Sequence, residues 1–239
     1  MSRFLILLAV TVFMIEGTGC ATKPVADAGF VDSSKLQMAG DVIPFQKAWT
    51  KPGYDPKKYT EVYIVPVNID YLFENSSWKN LPRGNLIRKD AGELATYMHG
   101  TFIETLRKDP NHRLKVVTLP TKNTVILELA ITELVPNKIA LKTAGLTSLA
   151  RVGRKALALG NESSIAFEAR FRDYETWEVV ALITDREKAK LNIVNIKNFT
   201  WYAHVRSIID EWAEQLVDVL NKTPESTVRD SRKFEIKPW

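Results

Sequence analysis

The side chains able to do chemistry in this chain are few and widely separated. Three are histidines: His99, His112 and His204. An imidazole serves as a metal ligand or a proton shuttle, and a helical metal site needs two of them four residues apart. No pair has that spacing, and no HExxH occurs. Asp210, Glu211 and Glu214 crowd one helical stretch, and paired carboxylates can divide acid and base duties. Trp212 and Leu216 mark the buried side of that stretch, which points the acids toward solvent. There is no GxSxG elbow, no P-loop and no dinucleotide GxGxxG. The single cysteine, Cys20, excludes an internal disulfide and a thiolate zinc cluster. The expectation is a non-enzymatic protein with no catalytic residues, no metal and no cofactor.

Cys20 itself has an informative setting. Residues 1–20 read MSRFLILLAVTVFMIEGTGC. Arg3 gives a short basic start, and Phe4 to Ile15 are apolar except for Thr11. That run has the length of a signal-peptide core and is too short to cross a hydrocarbon layer of about 30 Å as a helix. Gly17, Thr18 and Gly19 then lead directly to Cys20. Small residues before a lone cysteine resemble a bacterial lipobox, although Gly17 stands where leucine is usual and Glu16 interrupts the apolar approach. The resemblance implies cleavage after residue 19, diacylglycerol on the Cys20 thiol and an acylated amine. Ala21, where an aspartate would retain the protein at the inner membrane, implies sorting to the periplasmic face of the outer membrane. One acyl chain binds a bilayer only marginally, at about 10⁴ M⁻¹, whereas two or more hold stably.

A second unusual stretch is 138–160, KIALKTAGLTSLARVGRKALALG. Lys138, Lys142, Arg151, Arg154 and Lys155 alternate with apolar residues, and no acid interrupts them. The segment reads either as an interfacial helix lying on anionic lipid or on a partner, or as a crossover helix packed on a sheet with its basic side in water. Either way it is an insertion between two strands.

Composition bounds the rest. Hydrophobic residues make up 45% and charged residues 26% of 239 residues, which suits one folded domain with flanking segments. The net charge of +5 is spread along the chain among acids. A nucleic-acid binder would gather it into a basic patch interleaved with aromatics, so no nucleic-acid partner is expected.

The elements that must position these residues follow from periodicity. Residues 20–60 read as a tether and extended arm, punctuated by Pro24, Pro44, Pro52 and Pro56. Interspersed Phe30, Leu36, Ile43, Phe45 and Trp49 predict that part of the arm packs on the domain. The domain itself spans 61–221. It opens with a buried strand at 61–69, in which Pro66 predicts an edge or a bulge. A helix at 86–108 carries Ile87, Ala91, Leu94, Met98, Phe102 and Leu106 on one face. Strands follow at 114–119 and 124–135. Residues 163–172 alternate strictly and predict a half-buried strand, paired as a hairpin with 178–184. A second amphipathic helix covers 200–221, and 222–239 is a polar tail. The fold class is α+β: a two-layer sandwich of a mostly antiparallel sheet and two long amphipathic helices, with the basic helix inserted.

Several stretches together resemble a bacterial envelope lipoprotein family defined by a domain of unknown function. They are AGFVDSSKLQ (28–37), YDPKKYTEVYIVPV (54–67), VVTLPTKNTVILELAITELVP (116–136), SSIAFEARFRD (163–173) and WYAHVRSIIDEWAEQL (201–216). One departure is local. The family favours Thr-Gly-Glu after the SSIAFEARFRD-like strand, and this chain has Thr176-Trp177-Glu178, which predicts a turn that is longer or that faces the protein. The resemblance transfers no catalytic residue. The anchor, the tether-like arm, the missing catalytic motifs and the basic insertion point to an accessory protein, held to the membrane by lipid and paired with an envelope protein. Two alternatives stand beside it. One is a lipid or small-ligand carrier with Trp201, Trp212, Phe102 and Phe167 lining its pocket. The other is a subunit of an envelope transport or secretion assembly.

Overall fold

A computed structural model describes residues 27–40, 42–74, 84–135, 163–189, 205–222 and 228. Seven strands, β1 (Gln37–Met38), β2 (Lys47–Thr50), β3 (Glu61–Ile64), β4 (Lys115–Val116), β5 (Thr124–Val135), β6 (Ser163–Asp173) and β7 (Val179–Ala189), form one sheet in the order β1-β2-β7-β6-β5-β3-β4. The pairs are antiparallel except β3 with β5 and β3 with β4, which are parallel. The helices are α1 (Asp70–Glu74), α2 (Gly84–Arg107) and α3 (Val205–Leu220). The fold is therefore α+β, as the alternation of periods predicts.

The main core lies between the helices and one sheet face. Ala91, Leu94, Ala95, Met98, Phe102 and Leu106 of α2 and Ile208, Ile209, Trp212 and Leu216 of α3 pack on Leu127, Leu129 and Ile131 of β5 and on Ile165, Phe167 and Ala169 of β6. Steps of three and four put the helical set on one side, and steps of two put the strand set on one side. Trp212 is fully buried, packs its ring 4.5 Å from that of Phe167, and donates its Nε1–H to Asp185 Oδ2 at 2.7 Å. A buried indole needs such an acceptor, and a buried carboxylate needs such a donor.

Three irregularities have local causes. A bulge between Ile131 and Glu133 inserts Thr132, so the apolar period shifts and Leu134 returns to the core. The β3 ladder stops at Pro66, which has no N–H to donate, and the chain rejoins β5 through an Asn68–Ala130 bridge. β4 pairs only with Glu61 and Val62, so among the described residues no strand flanks the outer side of the chain at Pro66, which sits at an edge as the sequence predicts. β4 is only two residues, shorter than the predicted 114–119. Both β4 and β5 run parallel to β3, so residues 117–123 must carry the chain back to the start of β5, and a longer strand would outrun that return.

Two expectations change. The arm is part of the sheet, because β2 pairs with β7 through four residues and β1 extends it outward. β6 is covered on both faces rather than one: Ser164, Ala166 and Glu168, on the face away from the helices, are 5%, 0% and 1% exposed. A second, smaller apolar cluster explains part of this, since Phe30 and Val31 of the arm pack there on Ala130 and Leu182, with Leu36, Trp49 and Tyr71 at its margin.

Replacing Trp212 with Phe keeps one aromatic ring, removes the pyrrole part of the indole and deletes the donor to Asp185. The expected loss is at least about 1–3 kcal/mol of unfolding free energy, the cost of leaving a buried acceptor short of a partner, with the small void adding to it. Urea denaturation followed by circular dichroism measures it, and an unchanged midpoint would show that the bond carries no net stability.

Candidate functional site

The residues proposed from sequence for membrane or partner contact, Cys20, Lys138, Lys142, Arg151, Arg154 and Lys155, lie outside the described residues, as do His204 and Trp201. His99 and His112 do not come together as a site. His99 Nε2 is 3.1 Å from the Ile64 carbonyl, and His112 occupies a left-handed turn position at φ 47. Among the described residues no group of three His, Cys, Asp or Glu side chains could hold a metal ion. Of the helical acids, Glu214 is exposed, whereas Asp210 and Glu211 are half-buried. Asp210 accepts the Tyr97 hydroxyl at 2.7 Å across an open groove between α2 and α3, and Arg206 lies 4.6 Å over the Tyr97 ring. Phe102, Phe167 and Trp212 are ordinary core, and the cavity between helix layer and sheet that Phe102 and Phe167 line measures about 10 Å³, room for one water at most.

The structure instead builds a site on the opposite sheet face, where the arm crosses β6. Asp27 begins it with a tight turn, accepting from Gly29 N–H at 2.9 Å, and Gly29 supplies the positive φ of 84° that this turn requires. The next residues are pinned through their backbone. Glu168, 1% exposed, accepts the Ala28 N–H at 3.0 Å through one oxygen and the Val31 N–H at 2.9 Å through the other. Arg170 donates from Nη1 to the Phe30 carbonyl at 3.0 Å and lies 4.3 Å over the Phe30 ring. Phe30 meets Tyr71 edge-on at 5.3 Å. The arm is thus a strap, read through its main chain by one acid and one base two residues apart on the same strand face. Burial pushes the Glu168 carboxyl up, and the Ala28 and Val31 N–H groups offset only part of that push.

Around the strap this face carries a charged ladder. Glu128 binds both Arg170 and Arg172, and Glu133 binds Arg186 and Ser164. Burial raises the Glu128 carboxyl, but the two guanidinium groups outweigh it and hold it below the usual range. Sequence alternation marks Glu168, Arg170 and Arg172 as one face. It does not reveal that their partner is a segment about 140 residues away.

The end of the hairpin is the second built feature. Asp173 is 3% exposed and ties the loop down: Oδ1 accepts the Glu175 and Thr176 N–H groups at 2.8 and 2.9 Å, and Oδ2 accepts the Tyr59 hydroxyl at 2.8 Å and the Lys58 ammonium. Burial pulls this carboxyl up, yet Lys58, the Thr176 N–H, Tyr59 and the Glu175 N–H together hold it far below the ordinary range. Trp177 closes the loop in the left-handed region at φ 58. That conformation costs a side-chain-bearing residue about 1–2 kcal/mol, a cost that glycine would not carry. Of the two expectations for this turn, longer or facing the protein, the second does not hold for the Trp177 ring, which is 60% exposed.

Two outcomes follow. Glu168→Gln keeps one acceptor and turns an amide N–H₂ toward a backbone donor, so amide exchange at Ala28 and Val31 should accelerate about tenfold or more, the equivalent of one lost charged bond. Exchange mass spectrometry reads it, and unchanged protection would show that the strap is held by apolar contact alone. Asp173 has a folded pKa below its unfolded one. Its stabilisation is therefore present above about pH 4 and is lost as pH falls through the folded value. Asp173→Asn should remove that acid-side decline from a stability–pH profile, and an equally steep decline in the variant would contradict it.

Comparison with known proteins adds a family. No curated protein matches the chain. Among solved structures it is similar to the PelC dodecamer of Paraburkholderia phytofirmans, at 12% identity and TM-score 0.37 over 71% of this chain and 94% of that one. A variant of the same dodecamer gives 13%, 0.36, 71% and 95%. The profile of a family described as "Protein of unknown function (DUF3313)" matches residues 26–216, a span that takes in the strap, the whole sheet and most of α3. The chain belongs to the DUF3313 family.

Proposed function

We propose that the chain is a lipid-anchored, non-enzymatic accessory protein of the bacterial cell envelope, held by Cys20 to the periplasmic face of the outer membrane and engaging an envelope protein. The observation that carries this reading is the strap. The segment that leaves the N-terminal region is fixed to the middle of the sheet by Glu168 and Arg170, which suits a chain whose folded part must be held close to its attachment point. A free linker would have no need of a buried carboxylate reading its backbone. The basic stretch with Lys138, Lys142, Arg151, Arg154 and Lys155 is the proposed second contact with membrane or partner, attached where β5 ends and β6 begins. The carrier alternative draws no support from the core, whose 10 Å³ cavity lined by Phe102 and Phe167 falls far short of a ligand.

In-cell crosslinking of the wild type beside Cys20→Ser, with mass spectrometry of the intact mature chain, tests the proposal. The expected result is a mass increment of diacylglycerol plus an acyl chain on Cys20 and an envelope protein captured by the wild type only. An unmodified Cys20, or the same capture by Cys20→Ser, would remove the anchor from the account. A retained lipid or metabolite in place of a protein would favour the carrier.

A further inference from the structure

Trp177 combines two unfavourable features that its own surroundings do not offset. It has a left-handed backbone, which a bulky residue rarely adopts, and its large ring is 60% exposed. The ring contact it makes among the described residues is a loose, tilted one with Tyr174, centroids 6.5 Å apart. The backbone beneath is nonetheless held from several sides: Trp177 N–H donates to the Asp173 carbonyl at 2.9 Å, Arg172 Nη1 donates to the Trp177 carbonyl at 3.0 Å, and Asp173 N–H donates to the Glu178 carbonyl at 3.0 Å. A strained conformation that its neighbours over-determine is a mark of display rather than of accident.

We infer that the β6–β7 hairpin tip is a membrane contact, with the Trp177 indole seated among phospholipid headgroups. An indole has an apolar body and one N–H donor, the combination that partitions to the headgroup level of a bilayer, and Tyr174 beside it has the same character. The tip has company. Tyr174 N–H donates to the Thr124 carbonyl at 3.3 Å, so the start of β5 lies beside the tip. Lys51 pairs with Glu178 and Lys58 with Asp173, and the exposed Glu175 stands beside them, so the rim near the indole carries no excess of positive charge. That balance makes seating of the ring, not net charge, the driving contribution.

The length of chain before the strap fits this occupant. Eight residue steps separate Cys20 from the clamped Ala28, a span of about 28 Å at full extension. Along β6 the tip at Asp173 lies five residues, about 17 Å, from the clamp at Glu168. An anchored domain with its strap closed can therefore rest this tip on the bilayer. The inference takes only its proximity argument from the lipid-anchor reading.

The test uses the full mature protein purified from membranes and reconstituted in vesicles of phosphatidylethanolamine and phosphatidylglycerol, some with brominated acyl chains. The chain has six tryptophans, so the quenched share is read as the difference between wild type and Trp177→Phe. Bromolipid should quench a component of the wild-type emission that Trp177→Phe lacks, with little change between low and high salt. Trp177→Gly, which relieves the left-handed strain, should raise the unfolding midpoint while weakening vesicle binding of the unlipidated Cys20→Ser chain several-fold. Equal quenching in wild type and Trp177→Phe, or capture of a protein rather than lipid by a photo-crosslinker at position 177, overturns the inference. Quenching of Trp177 in a protein whose Cys20 proves unmodified upholds it while removing the anchor.

Discussion

A carboxylate in the middle of a covered sheet has to be given hydrogen-bond donors, and the arrangement of this protein turns on how Glu168 obtains them. It is 1% exposed and its charged form is disfavoured by burial. Two backbone N–H groups of the strap supply what solvent cannot. The same contact orders the strap, brings Phe30 and Val31 onto Ala130 and Leu182, and closes the sheet face that the helices leave open. Removing one partner leaves the other buried without compensation, and that asymmetry gives the pairing its structural weight.

The two sheet faces are consequently built on different physics. The helix face is an apolar core in which Trp212, Phe167 and the α2 stripe interdigitate, with buried hydrogen bonds from Trp212 to Asp185 and from Tyr59 to Asp173. The strap face is a lattice of charged pairs, Glu128 with Arg170 and Arg172 and Glu133 with Arg186, around a small apolar patch. Such pairs add little net stability compared with apolar packing, but they fix which backbone lies where, because each guanidinium and carboxylate accepts a narrow set of directions. At the hairpin, Asp173 plays the corresponding part. It collects Lys58, Tyr59 and two loop N–H groups, so the arm before β3 and the β6–β7 turn are locked to one point.

Periodicity alone determined the main elements. The apolar stripe of α2, the steps of two along β5 and β6, and the amphipathic α3 each announce themselves, because a helix or strand facing one core must repeat its apolar residues at its own pitch. The α+β class followed from their order. The missing catalytic motifs, the lone cysteine behind an apolar run and the basic stretch were equally legible, being properties of residue type and spacing.

Tertiary structure decided the rest, for reasons local sequence does not contain. β1 and β2 are too short to show a period; β2 exists because β7 offers it a ladder across more than 130 residues, and β1 because β2 in turn offers its outer edge. The polar side of β6 reads as solvent-facing, since alternation records chemical type and not what later covers it. Only the chain's return brings Ala28 and Val31 to Glu168. The exposure and left-handed backbone of Trp177 likewise depend on Asp173, Arg172 and Glu178 closing the loop together. Where a residue's partner is its neighbour, the sequence is enough. Where the partner is remote, and the cost of burying a charge or bending a backbone is met by that partner, the fold has the final word.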